Sequence, residues 1–227
     1  MKTWNIYDAE AIILLMATLI DTLDNRRHIV LRGVSWSYYE QTLAEIADQP
    51  IKVAFLDGVM EFMSPIPKHE GAKKALGNLI ANLAVECRIP LKCLGSTTFR
   101  QESKAAGSEP DECFYFNEIN SVRRMERFDP LVHRAPDLWV EVDVLNPSVP
   151  REPIHARLGV PEVWRYADDC LSIRLLTPAG VYADAAASLA FPFLPIDTFA
   201  GFIPKMIDGD ETRVLLEFRE WARGLRR

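Results

Sequence analysis

The sequence has no CxxC pair, no internal repeat, no low-complexity tract and no apolar run long enough to span a bilayer. Without CxxC spacing, a structural zinc site is not expected. The cysteines, Cys87, Cys93, Cys113 and Cys170, stand among apolar neighbours and read as small buried hydrophobes. That usage fits a reducing, cytoplasmic compartment. The apolar run Ala11–Ile20 is too short to cross a membrane. Asp8 and Glu10 stand before it, where a signal peptide would carry basic residues. It reads as an N-terminal helix burying one face, and no membrane partner is expected.

An excess of positive charge is also lacking. The formal net charge of -6 argues against a uniformly basic nucleic-acid binder. The sum hides a local excess, because Pro65 to Lys104 holds seven Lys or Arg against three Asp or Glu. Carboxylates gathered to bind a cation would also lower the total.

What is present is 227 residues, 48% hydrophobic and 26% charged, enough for one α/β domain with a real core. Ser35 can cap a helix running through Tyr38, Leu43 and Ile46. Lys52–Leu56 and Val59–Met63 flank Asp57-Gly58, a strong hairpin signal. Ser64-Pro65-Ile66-Pro67 breaks the chain, and a helix is predicted from about His69 to Cys87, ended by Pro90. Short strands follow at Leu91–Leu94 and Thr97–Gln101, a loop at Ser103–Pro110, and an extended segment at Asp111–Phe116. The charged stretch Arg123–Asp129 reads as an exposed connection. Asp137–Leu145 has the near-continuous apolar run of a central strand buried on both faces. A short helix runs to Leu158, with Gly159 as its terminator. Val163–Tyr166 and Leu171–Leu176 are further strands joined by Asp168-Asp169, and Glu211–Arg227 is a closing amphipathic helix. This order favours one mixed sheet flanked by helices. The chain divides into an N-terminal extension at 1–30, a main domain at 31–205 and a C-terminal helix packed on it at 206–227.

Within this frame, two similar elements carry the chemistry. Glu109-Pro110-Asp111-Glu112 leads into Cys113-Phe114-Tyr115, and Pro136-Asp137 leads into Leu138-Trp139-Val140-Glu141-Val142-Asp143. Glu141 and Asp143 alternate with apolar residues and so project to one face of the strand. Two carboxylates there are costly unless something neutralises them. A divalent cation does so, and Mg²⁺ needs only one or two protein carboxylates because it keeps several waters. Asp111 on the neighbouring strand completes the cluster. The competing reading gives Asp111 and Asp137 turn or capping roles and pairs Glu141 and Asp143 with Arg or Lys.

Several further blocks stand in order along the chain. They are Ser35-Trp36 with Tyr39, Leu56-Asp57-Gly58-Val59-Met60-Glu61-Phe62-Met63-Ser64-Pro65, His69-Glu70, Gly95-Ser96-Thr97-Thr98-Phe99-Arg100 and Gly159-Val160-Pro161-Glu162-Val163-Trp164-Arg165-Tyr166. Together with the two Pro-Asp elements, they resemble the PD-(D/E)xK nuclease core and, more closely, the Uma-type restriction endonuclease family. The resemblance spans Val34 to Phe199. It implies an α/β, restriction-endonuclease-like core with a mixed central sheet flanked by helices. It further implies a Mg²⁺-dependent endonuclease, with Mn²⁺ as a substitute ion, DNA as partner, and a homodimer for double-strand cutting. By this resemblance Asp111 and Glu141 are metal ligands. Glu70 is the acid of the first core helix, able to hold an ion or a water; otherwise it is a glutamate favoured by the helix dipole. Its neighbour His69 reads as a surface residue or an aid to water or phosphate.

The superfamily lysine, two residues after the glutamate, is replaced by Asp143. Relatives often move that lysine onto the next helix, where the matching residue is Arg151. Arginine can hold a phosphate through two hydrogen bonds but cannot deprotonate water. Lys73 and Lys74, near the helical face of Glu70, are further sources of charge. Trp164 and Tyr166 read as sheet-packing residues, and Tyr115 as a hydrogen-bonder near the cluster. Two alternatives stand beside the DNA nuclease. One is a nuclease fold that has lost catalysis and acts as a DNA-binding or structural module. The other is a hydrolase of RNA or another phosphodiester.

Overall fold

The computed structural model describes residues 28–47, 49–64, 67–143 and 149–225. The strands are β1 (His28–Arg32), β2 (Lys52–Leu56), β3 (Val59–Met63), β4 (Lys92–Cys93), β5 (Phe99–Gln101), β6 (Ala106–Ser108), β7 (Glu112–Tyr115), β8 (Leu138–Asp143), β9 (Glu162–Ala167), β10 (Cys170–Leu176) and β11 (Tyr182–Ala185). The helices are α1 (Trp36–Glu45), α2 (Pro67–Cys87), α3 (Ile119–Val122), α4 (Arg151–Leu158), α5 (Ile196–Ala200), α6 (Phe202–Asp208) and α7 (Glu211–Arg223). The helix expected at Ala11–Ile20 lies outside the described residues. The boundary expected at residue 30 falls inside β1, which pairs with β3 from His28↔Met63 to Arg32↔Val59.

Local sequence signals explain the elements that frame the site. Asp57 (φ 47°) and Gly58 (φ 79°) are both left-handed, as the tight turn between β2 and β3 requires. Ser35 Oγ accepts from the Tyr38 amide at 3.2 Å and so starts α1. Gly159 (φ 82°) closes α4, its amide bonding to Ala156 O at 3.1 Å.

The mixed central sheet is present, in the order β11-β10-β9-β8-β7-β4. Only its β8–β9 pair is parallel, with α4 on the connection between them. The expectation of a single sheet needs correction, because a second, antiparallel sheet runs β1-β3-β2-β6-β5. The β2–β3 hairpin fills its edges with β1 and β6 rather than with central strands. β6 lies in Ser103–Pro110, the segment read as a loop, and Glu102–Lys104 adds a turn of 3₁₀ helix before it. Ala106-Gly107-Ser108 offers neither alternation nor β-branched residues, so tertiary pairing decides its conformation. A Cβ on Gly107 would lie 2.3 Å from Tyr39 Oη, so only glycine lets α1 dock this closely.

Strand β8 separates two cores. Leu138, Val140 and Val142 join Leu76, Leu79 and Leu83 of α2 with Met206 of α6 and Phe218 of α7. On the opposite face Trp139 joins Ile154 and Leu158 of α4 with Ala54, Phe99 and Ala106 of the second sheet. Trp164 and Tyr166 are buried in the first of these cores, as packing residues should be. The end of α2 is tied to α7 through Glu86, which accepts from Arg219 at 2.6 Å and Arg223 at 2.8 Å. The cysteines are less uniform than expected. Cys113 is buried, Cys87 half-buried, and Cys93 and Cys170 exposed. Among the described residues no helix is long and apolar enough to cross a membrane.

Candidate active site

Pro110 precedes Asp111 where β7 begins to pair with β8. The Asp111 amide donates to Val140 O at 3.0 Å, and its Oδ2 accepts from the Val142 amide at 2.6 Å. The side chain therefore continues the strand ladder ahead of the first β7 residue, Glu112, which pairs with Val140. Oδ1 receives the other contacts. His69 Nε2, from the first turn of α2, lies 3.0 Å away. Lys52 Nζ, from β2 of the second sheet, also bonds Oδ1 and donates to Pro110 O at 3.0 Å. Asp111 is 1% exposed and Lys52 9%.

Burial alone would raise the Asp111 pKa. The His69 hydrogen bond and the Lys52 ammonium outweigh it and hold the carboxyl at about 2. Asp111 is thus ionised at neutral pH. Burial would also discharge His69, yet the bond to Asp111 overcomes it and raises the imidazole above its ordinary value.

Glu141 and Asp143 share a face of β8, as the alternation predicts, and both line a cavity of 620 Å³ with Arg151, His155 and Arg165. Glu141 Oε1 accepts from the Trp139 indole at 2.5 Å and lies 3.2 Å from His155 Nε2. Asp143 Oδ2 accepts from Arg165 Nε at 2.5 Å. Burial and the neighbouring Glu141 raise the Asp143 pKa, with Arg165 opposing them. Arg151 reaches the cavity wall, but its Nη2 lies 2.9 Å from Oε2 of the fully buried Glu61 on β3. The arginine at the shifted lysine position is therefore committed to a carboxylate of the hairpin.

Glu70 stands beside His69, with 3.4 Å between Oε1 and Nδ1, and its side chain is 42% exposed. Lys73 Nζ is 3.9 Å from Glu70 and donates to Ser96 Oγ at 3.0 Å, whereas Lys74 is exposed. Tyr115 is not near this centre as expected; its hydroxyl bonds Arg134 O at 3.0 Å, beside Asp137. It is the other end of β7 that approaches Asp111.

Among the described residues no three His, Cys, Asp or Glu side chains form a ready-made ion cage. A Mg²⁺ site needs less than that, since the ion keeps most of its waters and takes one or two carboxylates. Asp111, ionised and adjoining the strand of Glu141, provides oxygen ligands of the right hardness. Lys52 and His69 already contact Oδ1, so an ion held by Asp111 would meet them there.

Three residues of this centre had weak or no sequence signals. Lys52 heads an otherwise apolar strand, and Ala54 and Leu56 on its face pack toward the central sheet. That placement was the available clue to a buried ammonium. Glu61 lay in the hairpin block without chemical distinction. His155 is 1% exposed, and no local pattern separates it from a solvated helical histidine.

A solved structure described as a putative nuclease from Anabaena variabilis ATCC 29413 aligns at TM-score 0.44 and 15% identity, covering 72% of this chain and 90% of its own. A comparison with curated proteins returns no match. Residues 36–203 match the Uma2 family, whose description is "Putative restriction endonuclease". The chain belongs to that family.

Proposed function

We propose that this member of a nuclease family hydrolyses DNA phosphodiester bonds with a divalent ion, Mg²⁺ or Mn²⁺, bound through Asp111 and Glu141. The observation that carries the reading is the buried, ionised Asp111, joined by Lys52 and His69 and by the amide of the residue following Glu141. When bound, such an ion activates water and neutralises charge on the phosphate. The protein's own groups do the rest. Val142 N–H and His69 fix the Asp111 carboxylate. The Trp139 indole fixes Glu141, with His155 Nε2 close by. Glu70, beside His69, supports a water or second ion, and Asp143 adds negative charge next to Arg165. Two copies of the chain, each with one such centre, cut both strands.

The test is plasmid nicking with Mg²⁺ or Mn²⁺ by wild type, Asp111→Ala and Glu141→Ala. Wild type nicks and both variants fall to background; equal nicking by all three sinks the assignment. A second reading has specific support, because Asp143 and Arg151 occupy the two lysine positions and each is ion-paired within the protein. On that reading the fold binds DNA without cutting it. Calorimetry that finds DNA binding but no divalent-ion binding favours it.

A further inference from the structure

Lys52 is the buried cation of the centre that has no place in the family resemblance. A lysine withdrawn from water costs several kcal/mol unless acceptors surround it. Here it has two, Pro110 O and Asp111 Oδ1. Of its three N–H bonds, the third has no acceptor among the described residues. The other candidate cations are engaged elsewhere: Arg151 on Glu61, Arg165 on Asp143, and Lys73 on Ser96 and Glu70. Lys52 also comes from the second sheet. Its hairpin is held to α4 by Arg157, which bonds both Asp57 carboxylate oxygens at 2.6 Å and Lys104 O at 3.0 Å. The ammonium is therefore presented to Asp111 from across the junction of two separately hydrogen-bonded sheets.

We propose that Lys52 supplies the positive charge opposite the scissile phosphate, and that ammonium and divalent ion compete for Asp111 Oδ1. The phosphate role rests on the nuclease reading; the competition does not. A flexible four-carbon stem lets the ammonium leave Oδ1 and keep its bond to Pro110 O while it turns a donor to a phosphate oxygen. Lys52 transfers no proton in this role. The water oxygen forms the new P–O bond, the leaving oxygen departs with the electrons of the old one, and solvent balances the protons.

The test measures Mn²⁺ affinity by calorimetry, and plasmid nicking at saturating Mn²⁺, for wild type, Lys52→Met and Lys52→Arg. Circular dichroism and melting establish that each variant is folded. Lys52→Met should bind Mn²⁺ about tenfold more tightly, the effect of removing a competing charge, and should nick about 100-fold more slowly. Lys52→Arg, which keeps the charge, should recover part of the nicking. Unchanged or weaker Mn²⁺ binding by folded Lys52→Met overturns the competition. Full nicking by that variant overturns the phosphate role. If Lys52→Met does not fold, the same two measurements on Lys52→Gln decide. A wild type that binds Mn²⁺ and cuts nothing defeats the nuclease reading and the phosphate role with it, while the affinity comparison still judges the competition.

Discussion

Asp111 and Asp137 occupy equivalent places at opposite ends of the β7–β8 pair. Each follows a proline and precedes a strand. The Asp111 amide bonds Val140 O and its carboxylate takes the Val142 amide; the Asp137 amide bonds Phe114 O and its carboxylate takes the Phe116 amide at 2.7 Å. The local job is the same, a side chain that continues the ladder where the partner backbone has turned away. The surroundings differ. Asp137 also accepts from Asn117 N, and its counter-ion is the half-buried Arg134, at 2.7 and 2.9 Å. Asp111 is buried and meets an ammonium from another sheet and an imidazole from α2. One Pro-Asp element is thus complete as a cap, and the other carries charge that capping does not need.

That contrast can be broken by paired substitutions. Asp111→Asn has the largest expected effect. It removes a carboxylate from a buried ion pair, which costs about 3–5 kcal/mol, and nicking per folded molecule falls by about 100-fold or more. Denaturant unfolding and plasmid assays measure the two. Asp137→Asn weakens charge-assisted bonds at a half-buried site, at a cost of about 1–2 kcal/mol. It leaves nicking per folded molecule unchanged, and a loss of cleavage comparable to that of Asp111→Asn would erase the distinction.

Acid sharpens the comparison further. Burial opposes ionisation of Asp137, but the Arg134 bonds and the Phe116 and Asn117 amides outweigh it and hold its pKa below the ordinary 3.8. A depressed carboxyl adds stability above its unfolded pKa and loses it as pH falls through the folded one. Melting temperatures of wild type and Asp137→Asn should therefore converge as pH drops below about 4. A gap that stays constant to pH 2 would reject this linkage. Arg134→Lys should have the smallest effect, under about 1 kcal/mol, since it keeps the charge and loses the two-pronged geometry. A drop as large as that from Asp137→Asn would show that the fork itself matters.

Much of this arrangement was legible in the sequence because its causes are local. Asp57-Gly58 demands a tight hairpin, Ser35 caps its own helix, and the run from Leu138 to Val142 can only be a strand covered on both faces. The alternation along that run places Glu141 and Asp143 together. What stayed hidden depends on contacts distant in the chain. β6 is a strand because Phe55 and Leu56 pair with it. Lys52 is a candidate functional group because Asp111, 59 residues later, faces it. Arg151 looked available because nothing near it in sequence reveals Glu61. The two Pro-Asp elements could not be told apart for the same reason, since their bonds to the strands are alike and only their remote partners differ.

The junction between the sheets has a consequence for the life of the chain before it is fully folded. Asp111 and Glu141 belong to the central sheet, Lys52 to the hairpin sheet, and His69 to the helix that follows the hairpin. An intermediate with either sheet formed alone holds only part of this constellation. The geometry described above therefore exists only where both layers have closed upon each other.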